Sequence, residues 1–156
     1  MPNRVQELIS LFRMESHPEG GFFSEFYTSE AKYEQNGAVR ALCGSIYFML
    51  AGKDISHFHQ IDCEELWQFH EGCGVLIHIV GTDGQYRRES LGLDYEKGEK
   101  PVILLHKGDI FAAENTDSES YTFISCITTP KFRYEGFRLV PQEELKDMEL
   151  PDRLFI

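Results

Sequence analysis

The sequence predicts an all-β sandwich or barrel, and three observations carry that expectation. Short runs rich in aromatic and β-branched residues recur along most of the chain. Clusters of Gly, Asp, Asn and Ser separate them at short intervals, the pattern of antiparallel strands joined by turns. Aromatic residues make up 13% of the 156 positions, with twelve Phe and seven Tyr, which suits pleated, half-buried surfaces.

The elements follow in order. Asn3 is placed to cap a first helix, because Val5, Leu8, Ile9 and Phe12 recur at helical spacing. Proline disfavours helix in the residue before it, so this helix should end near His17-Pro18. Gly20-Gly21 then opens an aromatic strand, FFSEFY. Further strands are expected at 41–51, 55–59, 65–70, 75–80, 85–91, 102–105, 109–114, 121–128 and 137–140. Pro141 and the acids after it read as the start of a short C-terminal helix. No linker, repeat or low-complexity segment interrupts residues 1–156, so a single domain with a core over about 20–140 is expected.

Composition narrows the function classes. With 26 acidic against 15 basic residues the formal net charge is −11, and no Lys/Arg cluster offsets it. Such a surface repels phosphate backbones, so nucleic acid and anionic membrane are not expected partners. The four cysteines, Cys43, Cys63, Cys73 and Cys126, form no C-x-x-C pair. The opening MPNRVQELISLF lacks the apolar core of a signal peptide, and a reduced cytoplasmic compartment is the expectation. No G-x-S-x-G or P-loop pattern is present.

The stretch from Gly52 to Gly72 carries the candidate chemistry. Residues two apart on a strand share a face, so His57 and His59 should both point inward. Glu65 shares parity with Trp67 and Phe69 on the next strand and should face the interior, with Glu64 as the competing inward carboxylate. Two imidazoles and a carboxylate would hold Mn, Fe, Ni or Zn. The alternative is structural, with His57 bonding a loop. Near the N-terminus, His17 and Glu19 beside Gly20-Gly21 are either ligand contacts or a fixed corner. His59 is the candidate base and Tyr47 and Tyr121 are candidate acids, although core aromatics with satisfied hydroxyls fit the tyrosines as well. Arg40 reads as the partner of a surface acid, His106 as a turn residue, and His70 and His78 as strand-surface residues.

Two motif regions resemble those of cupins. The first is the H-x-H of His57 and His59, then Glu65, then Gly72 six residues further on; the His59–Glu65 gap is one residue longer than the cupin pattern. The second runs from His106 through Gly108 to Asn115, with Phe111 where the fourth ligand histidine would stand. A subfamily, Cupin_5 or DUF985, is matched over about residues 5–140. His17-Pro18-Glu19-Gly20-Gly21 is similar to its H-P-E-G-G signature, Ser45-Ile46-Tyr47-Phe48 to its I-Y-F strand, and Glu64-Glu65-Leu66-Trp67 to its D-E-x-W. Leu91-Gly92, Gly108 with Ala112-Ala113, and Cys126 with Thr129-Pro130-Lys131-Phe132 complete the likeness. The chain departs from it at Gln60, where the subfamily has Arg, and at Lys131, where it has Gly.

The resemblance implies a jelly-roll barrel and a homodimer that exchanges its N-terminal strand, and it implies no settled reaction. His57 stands where the subfamily often lacks histidine, which makes this chain better equipped for a divalent metal. Three readings stay open. One is a barrel that binds a sugar or small carboxylic acid, with metal on His57, His59 and Glu65, an apolar wall of Trp67, Phe69 and Phe111, and Asn115 as a further ligand contact. Another is a metal-free epimerase-like site. The last is a binding module without turnover, which the phenylalanine at position 111 favours.

Overall fold

The computed structural model describes residues 2–156, with side chains from residue 4 onward. Helix α1 (Pro2–Leu11) comes first, and thirteen strands follow. They are β1 (Glu15–Ser16), β2 (Phe22–Thr28), β3 (Lys32–Gln35), β4 (Ala38–Ala41), β5 (Gly44–Ala51), β6 (Ile55–Gln60) and β7 (Glu64–Gly72). The rest are β8 (Val75–Val80), β9 (Tyr86–Leu91), β10 (Val102–Leu105), β11 (Ile110–Asn115), β12 (Tyr121–Thr129) and β13 (Arg138–Leu139).

Two antiparallel sheets face each other. One has the order β1-β2-β5-β12-β7-β10 and the other β13-β6-β11-β8-β9, while β3 and β4 form a separate hairpin. From β5 to β8 and again from β9 to β13 successive strands alternate between the sheets, which is the winding of a jelly roll. Between the sheets lies the main core, where Phe48, Trp67, Ile77, Ile79, Phe111 and Ile124 are fully buried. Helix α1 covers the outer face of the first sheet, packing Val5 and Leu8 against Met49 and Phe123. The C-terminal segment covers the outer face of the second, with Leu145 and Leu154 against Phe58 and Val80. Among the described residues no helix is long and apolar enough to cross a membrane.

Three expectations about local structure change. The first helix ends at Leu11 rather than near His17-Pro18: Arg13 takes a left-handed conformation at φ 53°, and Glu15–Ser16 pairs with β2. The helix also begins at Pro2, ahead of Asn3, whose side chain lies outside the described ones. The C-terminal helix is a 3₁₀ turn, Gln142–Leu145, followed by a second at Asp152–Leu154. The segment 41–51 divides, Ala41 closing β4 and Gly44 opening β5, because Leu42 and Cys43 bond the 29–31 loop instead; β4 pairs with β3 across a tight turn at Asn36 (φ 52°) and Gly37 (φ 81°).

Candidate functional site

A cavity of about 330 Å³ opens between the sheets at the end where β5 and β7 begin and β12 finishes. Its aromatic walls come from Phe23, Phe48, Trp67 and Phe132, and Tyr134 stands at the mouth. Its polar groups include His17, Glu19, His59 and Glu65, with Glu15, Glu25 and Lys131 nearer the mouth.

Glu19 reaches the interior because of the two glycines after it. Gly20 has φ 113° and Gly21 φ 80°, conformations that L side chains avoid. A Cβ on Gly20 would lie 1.8 Å from the carbonyl oxygen of Ile55, and one on Gly21 2.6 Å from that of Met49. The segment therefore presses backbone to backbone on β5 and β6 and carries the Glu19 side chain inside. The Glu19 N–H donates to His17 Nδ1 (3.1 Å), so the His17 ring is held by its own loop while it packs edge-on against Phe23.

The interior face of β6 differs from the expected one. Opposite β11 the register shifts between Phe111 and Ala113, so Phe111 pairs with His59 and Ala113 with Ser56. β6 thus holds one extra residue at 57–58, a β-bulge that breaks the two-residue alternation. Ser56 and His59 serve the interior, and Phe58 packs outside among the C-terminal residues. The shared face expected for His57 and His59 is therefore not formed. His57 stays outside the cavity lining and clamps the neighbouring segment: its Nδ1 and its backbone N–H each bond the Glu19 carbonyl at 2.9 Å.

In place of His57, Glu19 meets His59. His59 Nε2 lies 3.0 Å from Glu19 Oε2, and Ser56 Oγ donates to Glu19 Oε1 at 2.9 Å. His59 Nδ1 lies 2.7 Å from the His57 carbonyl. A carbonyl only accepts, so Nδ1 carries the ring proton and Nε2 is the acceptor of the neutral ring. Burial pushes His59 down to about 4 and also raises Glu19, so both shifts favour a neutral pair. In that state the Glu19 carboxyl donates its proton to the imidazole.

Glu65 is buried and Glu64 is exposed, which resolves the choice between them. Trp67 Nε1 donates to Glu65 Oε1 at 2.5 Å, and among the described residues no cation touches the carboxyl. Burial, reinforced by the nearby Glu19, pushes Glu65 up to about 8 despite that bond.

The other predicted residues divide clearly. His17, Glu19, His59, Glu65 and Trp67 come together at the cavity. Phe111 lies behind them, its ring 4.2 Å from that of His59, and Phe69 packs at the side of the main core. Asn115 is at the opposite end of the barrel, donating to the carbonyls of Leu50 and Gly52. The two candidate acids are misplaced. Tyr47 packs with Phe12 and Phe123 on the outer face beneath α1, and Tyr121 donates to Glu71 at 2.6 Å. Tyr134 is the tyrosine that lines the cavity; sequence reasoning missed it because it follows the last long strand on a short 3₁₀ turn.

The expected metal ligands do not fit a metal. His57 faces its loop, Phe111 offers no donor, and His59 Nε2 is taken by Glu19. Among the described residues no three His, Cys, Asp or Glu side chains form a group that could hold an ion. All four cysteines are free thiols.

The comparisons with known proteins agree with this architecture. The family described as Cupin_5, cupin superfamily (DUF985), matches residues 6–140. The chain belongs to that family. Among solved structures, this cupin is similar to protein SO0799 from Shewanella oneidensis, with 34% identity and a TM-score of 0.83 over 92% of this chain and 88% of that one. A hypothetical protein from Leishmania major is 28% identical, with a TM-score of 0.84 over 92% and 91% of the two chains. The uncharacterized protein YML079W of Saccharomyces cerevisiae is 27% identical over 97% of this cupin and 83% of its own length.

Proposed function

We propose that this cupin binds a small polyhydroxylated molecule in the barrel and exchanges a proton with it through the Glu19–His59 pair, without a metal. One observation carries the reading: a buried carboxyl and a buried imidazole, 3.0 Å apart, face a cavity of small-molecule size. The pair stores one proton next to an imidazole whose tautomer is fixed by the His57 carbonyl. A ligand hydroxyl, or a carbon acid beside a carbonyl, that displaces Glu19 from Nε2 would find a base there and a protonated carboxyl beside it. Tyr134 is placed at the mouth to act as a second proton donor.

The anionic half of the earlier ligand expectation loses ground. No arginine lines the cavity among the described residues, and Lys131 is already paired with Glu25 at 2.7 Å. A carboxylic acid would meet carboxyl groups and no free cation. A sugar or polyol suits the mixture of carboxyls, imidazoles and aromatic faces.

The test is α-proton exchange in D₂O across a panel of aldoses and ketoses, followed by NMR with EDTA present. The reading expects exchange with at least one sugar, lost in His59→Ala and reduced at least tenfold in Glu19→Ala. Binding without exchange in any sugar would leave a binding module and remove the proton-transfer step. The homodimer implied by the resemblance is retained as part of this proposal. Phe26 and Tyr27 of β2 are half exposed, and light scattering should report twice the chain mass.

A further inference from the structure

Glu65 is a group that the proton-transfer step does not use. It is more than nine-tenths buried, lines the cavity, and spends one oxygen on Trp67. Among the described residues its Oε2 has no hydrogen-bond partner, and it is not sealed within the protein, so it is open to the cavity. Buried carboxyls are normally matched by a cation or several donors. Here the surroundings supply neither. Glu19 is a second acid, Cys63 and Cys126 are thiols, His59 is engaged with Glu19, and Lys131 is held by Glu25 and Thr28.

The rest of the cavity points the same way. Four glutamates, at positions 15, 19, 25 and 65, line it against one lysine. Around them stand the faces and edges of Phe23, Phe48, Trp67, Phe132 and Tyr134. Carboxylate together with aromatic surface is the combination that holds an organic cation, through charge pairing and cation–π attraction.

Resting on the proposed small-molecule function, we infer that the ligand of this cavity carries an amino group and that Glu65 receives it as an ammonium ion. The polyhydroxylated body lies toward His59 and Glu19, and the ammonium sits beside Glu65 against the Trp67 wall. Free Glu65 is protonated at neutral pH, because burial raises it to about 8. An ammonium that pairs with the ionised carboxylate therefore displaces that proton to solvent. Binding is coupled to release of one proton per ligand, and the count balances: a cation enters and a proton leaves.

The experiment uses three probes with the same six-carbon chain: glucamine, sorbitol and gluconate, which carry a positive, a zero and a negative charge. Calorimetry at pH 7 in two buffers of different ionisation enthalpy reads affinity and proton release together. The inference expects glucamine to bind at least tenfold more tightly than sorbitol, with close to one proton released, and gluconate most weakly. Glu65→Gln keeps an acceptor for Trp67 Nε1, and it should abolish both the preference of glucamine over sorbitol and the proton release. Equal binding of glucamine and sorbitol, or a preference unchanged in Glu65→Gln, would overturn the inference and leave the proposed function standing. Failure of all three probes to bind would overturn both. Proton release is measured on the unaltered protein, so the test survives a variant that folds poorly.

Discussion

Two imidazole–carboxyl pairs flank strand β11, one on each face of the second sheet. Inside, His59 of β6 meets Glu19. Outside, His78 of β8 meets Glu114 at 2.7 Å. The outer pair is closed: Arg153 donates to both oxygens of Glu114, and Tyr86 bonds His78 Nδ1 at 2.7 Å. A carboxylate that receives Arg153 and His78 Nε2–H leaves Nδ1 to accept from the tyrosine hydroxyl, so every group has a fixed role. This assembly fastens the C-terminal segment to the sheet. The inner pair has no guanidinium, shares one proton, and faces a cavity. The same two side chains therefore make a fastener where a cation completes them and a candidate proton store where burial keeps them neutral.

The comparison can be sharpened first at Glu65, which like Glu19 is buried in the cavity without a cation. Its carboxyl is raised from an ordinary 4.5 to about 8, so the folded chain holds that proton more tightly than the unfolded chain. The stability this gives is full below about pH 4.5 and is lost as the pH rises toward 8. Glu65→Gln does not titrate. Urea unfolding should show it gaining on the unaltered protein by up to ~5 kcal/mol at pH 9, at 1.36 kcal/mol per pKa unit. Parallel curves for the two proteins would mean that Glu65 ionises without cost.

His59 should act in the opposite direction. Its value falls from 6.5 to about 4 on burial, so the unfolded chain takes up the proton first and stability is lost as the pH drops from 6.5 toward 4. The loss should reach ~3 kcal/mol and be absent in His59→Gln, again by unfolding.

A third test compares the same substitution in both pairs. Glu114→Gln turns an amide N–H toward Arg153 or His78 and should cost ~2 kcal/mol, because the exposed guanidinium or the buried imidazole loses its acceptor. Glu19→Gln should cost less than ~1 kcal/mol: its oxygen accepts from Ser56 and its amide donates to His59, as the protonated acid does. Equal costs in thermal or urea unfolding would show that the inner pair is ionised and the contrast between the pairs false.

How far the sequence could be read follows the same divide between regular and irregular backbone. Strands 75–80 and 102–105 were expected with the boundaries they have, since clear turn residues bracket their apolar runs. The close backbone approach at Gly20-Gly21 was legible, because paired glycines mark it, and the H-P-E-G-G segment lies along the cavity. What failed was parity. Alternation predicts a common face for His57 and His59 only if β6 keeps step with β11, and a bulge depends on a partner strand that β6 alone does not reveal. For Tyr47 the packed-aromatic reading fits and the acid reading does not: both faces of β5 are covered by apolar groups, one by the core and one by α1, so composition does not tell inside from outside. The Asn36-Gly37 hairpin, by contrast, carries a strong local turn signal and was overlooked within a polar stretch.

The extra residue in β6 works as a phase shift. Positions before it keep one assignment of faces and positions after it take the other, while the hydrogen-bond ladder resumes on both sides. A barrel built this way can exchange the groups that line its interior through a change in strand length alone, with every side chain retained. Relatives whose β6 differs by one residue at this point would then present different chemistry on the same scaffold, and a comparison of their residue identities without their gaps would miss it.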